Sequence, residues 1–287
     1  MKRITSFILS SVMLGTISPA LAANSVSITQ ASENSTIDVL QSGGSFGSAT
    51  INQTGKTVNV TVTQLDLGGA RQINPGPANN AVIKQAGSQN SINAPSEGFG
   101  LPFKGQNNTV AGGAVNKVAV DQTGFGNDVN YAQTGAGLTL KIAQSGDFNY
   151  IEAGQSGTLH LGDIKQQSSA NAFQSSQTGN SNSYTATQLG GGDDIKLTQS
   201  GNHNNAAISQ TNHGARLSSV QSGEFGTISL TQAGNDDEAD LIQTGNGDTM
   251  TIQQGGGANK LTLTQTSNGA LANLSQTGFA STIHVAP

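Results

Sequence analysis

Residues 194–210 read DIKLTQSGNHNNAAISQ, and this stretch contains the pattern that decides the fold. Its two glutamines, Gln199 and Gln210, lie eleven residues apart, and the same spacing runs without a break from Gln122 to Gln276. A fixed period of this kind is typical of proteins whose repeats are structural units stacked on one another. The fifteen glutamines of the series are Gln122, Gln133, Gln144, Gln155, Gln166, Gln177, Gln188, Gln199, Gln210, Gln221, Gln232, Gln243, Gln254, Gln265 and Gln276.

Each repeat unit has the pattern of a strand. Apolar residues stand two and four positions before most of the glutamines, as Ile195 and Leu197 do before Gln199, and polar residues such as Lys196 and Thr198 alternate with them. Alternation with period two predicts a strand with one buried face, whereas an eleven-residue helical repeat would place its apolar residues at helical spacing. The glutamine lies on the same face of the strand as these apolar residues, so it is predicted to be buried.

A glycine stands two residues after twelve of the fifteen glutamines, and the sequence predicts a turn there. Glycine supplies the positive φ that a tight turn needs, and Asn, Asp and Ser commonly follow it in turns. The predicted turn glycines are Gly124, Gly135, Gly146, Gly157, Gly179, Gly201, Gly223 and Gly245.

The strands are predicted to pair into rungs of two. One amphipathic strand cannot bury its apolar face alone, but two strands joined by a turn can face each other. Five residues after alternate glutamines, polar residues recur every twenty-two residues, among them Asn127, Asn149, Asn171, Asp193 and Asp237. We therefore expect an all-β solenoid of two facing, parallel, in-register sheets, with a three-sided solenoid as the alternative.

A glutamine in an apolar core needs hydrogen-bond partners, since an unpaired buried amide costs on the order of 2 kcal/mol or more. Identical amides one rung apart, at about 4.8 Å, can bond to one another along a column. The glutamines are thus predicted to form a buried ladder. Such a ladder also fixes the strand register, because a slip by one residue would expose every apolar side chain.

The chain divides into four segments. Residues 1–22 have the features of a secretory signal peptide, with Lys2 and Arg3, an apolar stretch and an Ala-Leu-Ala cleavage site. Residues 23–94 are predicted to form irregular repeats with glutamines at 30, 41, 53, 64 and 85 and a proline-containing loop at 65–80. Residues 95–113 are predicted to be a loop insertion around degenerate units near Ser96 and Ala111, and residues 114–287 form the regular block. Twenty clear units and the two degenerate ones would make eleven rungs.

Composition and spacing argue against several classes of function. The chain has no cysteine and a net charge of −5, and it lacks the basic patches with aromatics that nucleic-acid binding requires. Its four histidines lack ligand spacing, and the acidic cluster from Asp236 to Asp240 is better explained as a solvated turn than as a calcium site. We expect no enzymatic activity, no metal, no cofactor and no small-molecule substrate.

The repeat resembles a known family. Gln199 to Gln210, and Gln122-Thr-Gly124-Phe-Gly126-Asn127, are similar to the curlin repeat, in which Gln-x-Gly-x-Gly-Asn-x-Ala precedes a second glutamine eleven residues on. This resemblance implies a secreted subunit of curli, the bacterial amyloid fibres of biofilm matrix, in a major or nucleating role. It also implies partners: further copies of the chain, a related curli-like subunit or nucleator, and outer-membrane export machinery.

The two ends of the repeat series are expected to be open. Val26 and Ile28 precede the first glutamine, and Ile283 and Val285 occupy the apolar positions of a sixteenth unit with Pro287 at its glutamine position. Matching open ends favour head-to-tail association into an extracellular fibre at the cell surface. The alternative is a monomeric secreted adhesin that binds through the 65–80 and 95–113 loops.

Overall fold

The protein is an all-β molecule over the residues that the computed structural model describes. Residues 116–285 are described in full, and seven earlier strands are described by their backbone. Those strands are β1 (Ser25–Gln30), β2 (Thr36–Ser42), β3 (Ser48–Thr54), β4 (Asn59–Asp66), β5 (Asn80–Ser88), β6 (Ser91–Ile92) and β7 (Gly105–Asn108). The predicted signal peptide, residues 1–22, and residues 67–79 of the predicted first loop lie outside the described part.

Sixteen strands follow in the regular block. They are β8 (Lys117–Phe125), β9 (Asp128–Ala136), β10 (Thr139–Asp147), β11 (Tyr150–Thr158), β12 (Leu161–Gln166), β13 (Ala172–Asn180), β14 (Ser183–Gln188), β15 (Asp194–Asn202), β16 (Asn205–Gln210), β17 (Arg216–Glu224), β18 (Thr227–Gln232), β19 (Glu238–Gln243), β20 (Thr249–Gly257), β21 (Lys260–Gln265), β22 (Leu271–Phe279) and β23 (Thr282–Val285). No helix in the described part of the chain is long and apolar enough to cross a membrane.

Successive strands alternate between two parallel sheets. Sheet I has the order β1-β3-β5-β8-β10-β12-β14-β16-β18-β20-β22, and sheet II has the order β2-β4-β6-β9-β11-β13-β15-β17-β19-β21-β23, with β7 beside β4 and β9. In the regular block each residue pairs with the residue 22 positions later, as Gln199 pairs with Gln221. The prediction of a two-sided solenoid of facing, in-register parallel sheets is confirmed, and the three-sided alternative is wrong.

The irregular spacing of the early repeats does not disturb the register of the strands. In sheet I, Gln30 pairs with Gln53, Gln53 with Gln85, and Gln85 with Gln122, although 23, 32 and 37 residues separate them. Loops of different length therefore lie between strands that remain aligned on their glutamines. This agrees with the weak dependence of loop-closure entropy on loop length.

Ser96 and Ala111, around which two degenerate units were predicted, lie outside the described part. Because β5 pairs directly with β8, only one strand position of sheet II separates them, and two short strands fill it. In β6, Ile92 lies between Val60 and Val129, and in β7, Gln106 lies between Gln64 and Gln133. The stack still has eleven strand positions in each sheet, because the predicted sixteenth unit forms β23.

The core lies between the sheets and is built by alternation along each strand. In β15 the apolar residues Ile195 and Leu197 are fully buried, while Lys196 between them is exposed. Large and small side chains compensate across rungs: the space above Gly162 is filled by Tyr184, whose hydroxyl would lie 2.6 Å from a Cβ at that glycine. The Tyr184 hydroxyl is also 2.9 Å from Ser175 Oγ in the opposite sheet, which satisfies both groups in the interior.

Candidate functional site

The buried glutamines form two unbroken columns, one on each sheet. All fifteen predicted ladder glutamines are buried, with side chains no more than 7% exposed. In thirteen of them, from Gln122 to Gln254, Nε2 donates to Oε1 of the glutamine 22 residues later, at 2.8 to 3.2 Å. In every bond the donor has the lower residue number. These contacts are the amide ladder that the period of eleven predicted.

The ladder also connects the two sheets. From Gln133 to Gln276, Nε2 also donates to a backbone carbonyl 16 residues earlier, as Gln199 Nε2 donates to Ser183 O at 2.9 Å and Gln254 Nε2 to Glu238 O at 3.0 Å. That carbonyl belongs to the first residue of the strand in the opposite sheet. These glutamines therefore hold their neighbours along the stack and across the core.

Most of the glycines after the glutamines have the predicted positive φ, and a second constraint also requires glycine there. Seven of the eight predicted turn glycines have φ between 93° and 134°, yet they lie within the ends of strands rather than at the corner. A Cβ at Gly146 would lie 1.8 Å from the carbonyl oxygen of Ser168 in the next rung. These positions exclude a side chain because the backbone of the next rung passes so close.

Gly245 does not follow this pattern, and the prediction of a positive φ there was wrong. Its strand ends at Gln243, and Gly245 is absent from the residues with positive φ. A Cβ would instead meet Asp248 Oδ2 at 2.3 Å and Ser267 O at 2.4 Å. The glycine there makes room for a carboxylate in the longer turn between β19 and β20.

The corner itself lies four residues after each glutamine. All fifteen residues at this position have φ between 51° and 75°, and nine of them are not glycine: Phe148, Leu159, Ala170, Ser181, His203, Phe225, Asp236, Ala258 and Ala280. Their backbone N–H groups bond to the previous rung, as Phe225 N donates to Asn202 O at 3.0 Å. The ladder of backbone bonds overrides the usual preference for glycine, so residue type gives no signal for this corner.

Polar residues in the fifth position form two further buried columns, one along each edge of the stack. Asn182 Oδ1 accepts from Asn204 N at 2.9 Å, and Asn182 Nδ2 donates to Gly201 O at 2.9 Å. Each such asparagine thus satisfies backbone groups of the following turn, which otherwise would be buried without partners. The prediction that Asn127, Asn149, Asn171, Asp193, Asp237 and Asn259 point inward is confirmed.

Ionisable residues replace asparagine at several of these positions. His160 Nδ1 accepts from Asn182 N at 3.1 Å, so Nε2 carries the proton toward Ser156 O at 3.0 Å, and burial lowers the pKa of His160 below its usual value of 6.5. Asp193 Oδ1 accepts from Ala215 N at 3.0 Å, and burial raises the pKa of Asp193. Burial therefore favours the uncharged forms of His160 and Asp193.

The acidic cluster from Asp236 to Asp240 does not converge on a single point. Asp237 is fully buried and accepts from Gly234 N and Asn259 N, while Glu238 forms an ion pair with Lys260 at 3.1 Å on the surface. Asp236 is exposed at the corner. Within the described residues, no group of three or more His, Cys, Asp and Glu side chains could hold a metal ion.

One position in register with the glutamine columns, Gln106, is not marked by the sequence pattern. Gln106 pairs in register with Gln64 and Gln133, but Lys104 and Pro102 stand two and four residues before it, so the alternation that marks the other units is absent. The apolar residue for this rung comes from Ile92 instead. The only local sign of a repeat unit there is the sequence Gly-Gln-Asn-Asn at residues 105–108.

The chain matches no model of a known protein family and no curated protein.

Proposed function

We propose that this protein is the structural subunit of an extracellular, curli-like amyloid fibre that serves in biofilm matrix, adhesion and aggregation. The observation that carries the proposal is the amide ladder. Every rung of the regular block offers the next one the same amide donor, in-register backbone groups and matching apolar columns. Contacts that are identical from rung to rung can equally form between the rungs of two chains.

The last described rung supports this reading. Ala272, Leu274, Ile283 and Val285 are only partly buried against the core, whereas their partners in the preceding rung are fully buried: Met250, Ile252, Leu261 and Leu263. These residues occupy positions that in earlier rungs are covered by the following rung. A further rung with the same pattern would bury them, and burial of apolar surface is the main driving force for such association.

Features of the sequence support a location outside the cell. A signal peptide at residues 1–22 would direct the chain out of the cytoplasm, and the curlin-like motif suggests outer-membrane export to the cell surface. Partners would then be other copies of the chain and a related subunit or nucleator. The chain has no cysteine, so burial and backbone pairing must supply its stability in an oxidising compartment.

The test is to purify residues 23–287 and follow thioflavin fluorescence, electron microscopy and fibre diffraction over time. We expect filaments with a reflection near 4.8 Å along the fibre axis, which is the spacing of paired strands. A chain that remains monomeric at high concentration would overturn the proposal.

A loop deletion separates the fibre from the adhesin that the sequence left as the alternative. Removing residues 70–79 and 94–103 leaves every described strand in place and gives the spacings of the regular block, six residues from Gln64 to Asn80 and four from Ile92 to Gln106. A fibre subunit without them should assemble and still support cell aggregation, whereas an adhesin that binds through these loops should lose surface binding. Loss of binding together with a monomeric state of the parent chain would favour the adhesin.

A further inference from the structure

The outward face of sheet I changes character along the stack. On β14, β16, β18 and β20 the outward side chains form a surface that we call the hydroxyl face: Ser183, Thr185, Thr187, Asn205, Ala207, Ser209, Thr227, Ser229, Thr231, Thr249, Thr251 and Gln253. All twelve are exposed or partly exposed. Nine of them carry a hydroxyl group, and none is ionisable.

The absence of charge on this face does not follow from the composition alone. In the same four rungs, the twelve outward positions of sheet II on β15, β17, β19 and β21 include six ionisable residues: Asp194, Lys196, Arg216, Glu238, Asp240 and Lys260. Earlier in sheet I, β8, β10 and β12 carry Lys117, Asp121, Lys141, Asp163 and Lys165. Charge is therefore segregated away from one part of one sheet.

The hydroxyl face has the geometry that packing of two sheets requires. Its four strands are parallel and in register, so side chains recur every 4.8 Å or so between strands and about 6.8 Å along each strand. Most of these side chains are short, and such rows can interdigitate closely. Natural proteins usually place Lys or Glu on exposed sheet surfaces to prevent this kind of contact. Here those residues are missing.

We propose that the hydroxyl face is the lateral contact between neighbouring filaments, and that its occupant is the hydroxyl face of a second copy. The inference rests on the proposed fibre function. The chain carries a net charge of −5, which opposes close approach through most of its surface, whereas two uncharged faces meet without repulsion. The face also carries no aromatic side chain of the kind that stacks on sugar rings, which disfavours a polysaccharide as its occupant.

The size of the face determines when the contact forms. Four strands of six residues cover roughly 400 Å², about half of the 800 Å² per partner that a stable complex of two proteins needs. Two monomers should therefore not dimerise through it. In a filament the face recurs once per subunit, so many weak contacts act together and bundles become stable. Lateral association should follow polymerisation rather than precede it.

A charge-insertion experiment tests the face. The double variant Thr185→Lys, Ser229→Lys places two charges in its central column, and Ser218→Lys, Thr262→Lys adds the same charge to the central column of sheet II. We expect seeded growth within about twofold of the parent for both, because neither touches the ladder. Electron microscopy should show bundles for the parent and the sheet II variant but single filaments for the hydroxyl-face variant. Bundles in all three, or in none, would overturn the proposal.

A crosslinking experiment gives a second readout that does not depend on how well a lysine variant grows. The chain has no cysteine, so Thr185→Cys introduces a single thiol. Along one filament these thiols would lie roughly 50 Å apart, since eleven rungs at about 4.8 Å separate them, so a disulfide can form only between filaments. Oxidised filaments should yield covalent dimers for Thr185→Cys and far fewer for Ser218→Cys.

The two proposals fail in different ways. If the parent chain forms filaments but Thr185→Cys yields no more covalent dimer than Ser218→Cys, the lateral contact is overturned and the fibre function stays intact. A parent chain that forms no filaments would overturn both.

Discussion

Gln232 Nε2 donates a hydrogen bond to Gln254 Oε1 at 2.9 Å, although the two residues are 22 positions apart in the chain. Gln254 Nε2 in turn donates to Gln276 Oε1 at 3.0 Å and to the backbone carbonyl of Glu238 at 3.0 Å. One side chain thus satisfies three groups in the interior, and its exposed neighbour Gln253 provides a matched comparison.

Gln254→Leu should destabilise the protein strongly, while Gln253→Leu should not. The buried substitution takes one acceptor from the Gln232 amide and removes the donors to the Gln276 side-chain oxygen and the Glu238 carbonyl. Each buried group left unsatisfied costs about 1 to 3 kcal/mol. The exposed substitution removes a side chain that points to solvent. Guanidinium denaturation of the soluble monomer measures both. Equal effects of the two variants would contradict the ladder.

Gly256→Ala should destabilise the protein strongly, while Gly255→Ala should have little effect on its stability. At Gly256, φ is 106° and a Cβ would lie 1.8 Å from Gly278 O, whereas a Cβ at Gly255 would meet nothing within 4 Å. We expect the first substitution to cost at least about 2 kcal/mol of unfolding free energy, and the second less than about 0.5 kcal/mol. Chemical denaturation of the two variants is the check, and a tolerated alanine at 256 would refute the close approach of the rungs.

The stability of the protein should fall in mild acid in part because of His160. Burial lowers its folded-state pKa below 6.5, so the unfolded state binds a proton more readily. The stability is then fully present above pH 6.5 and decreases as the pH falls from there toward the folded-state pKa. His160→Asn, which copies the neighbouring Asn182 and Asn204, should flatten this dependence.

Denaturation midpoints between pH 8 and pH 5 would show the effect as a smaller decrease in the variant. Parallel curves for parent and variant would mean that the ring is solvated or that other groups dominate. His203→Asn is the control, since His203 is exposed at a corner and stacks on Phe225 with a centroid distance of 4.9 Å.

The ion pair between Lys260 and Glu238 should contribute little. Both side chains are about half exposed, at 50% and 43%, and exposed pairs of this kind are typically worth under 1 kcal/mol. We expect a coupling energy below about 0.5 kcal/mol from a double-mutant cycle with Lys260→Met and Glu238→Gln. A much larger value would show that charged pairs between rungs, and not only the ladder, fix the register.

Much of this architecture could be read from the sequence because two periodicities coincide. Period two identifies which side chains face inward, and period eleven places Gln199 and Gln221 on the same column. The ladder, the two facing sheets and the inward asparagines follow from these two facts. Where the alternation fails, as before Gln106, no pattern in the chain marks the strand. The observed arrangement depends on β6 and β7 sharing one position between β4 and β9.

The corners could not be predicted for a different reason. Phe148, Leu159 and Phe225 adopt a conformation that residue type disfavours, because hydrogen bonds from the neighbouring rung impose it. Local propensity therefore points to the glycine two residues earlier, where the actual constraint is the passing backbone. The hydroxyl face was likewise invisible in the linear sequence, since its residues are brought together only when alternate units form one sheet.

In every hydrogen bond between the side-chain amides of the two columns, the donor has the lower residue number and the acceptor the higher one. This gives the stack a direction. The dipoles of the side-chain amides add along each column instead of cancelling. Two copies that met through their ends of higher residue number would place amide donors against amide donors. Two copies that met through their ends of lower residue number would place acceptors against acceptors. A filament made by continuing these columns would consequently be polar, with two chemically distinct tips that need not grow at the same rate.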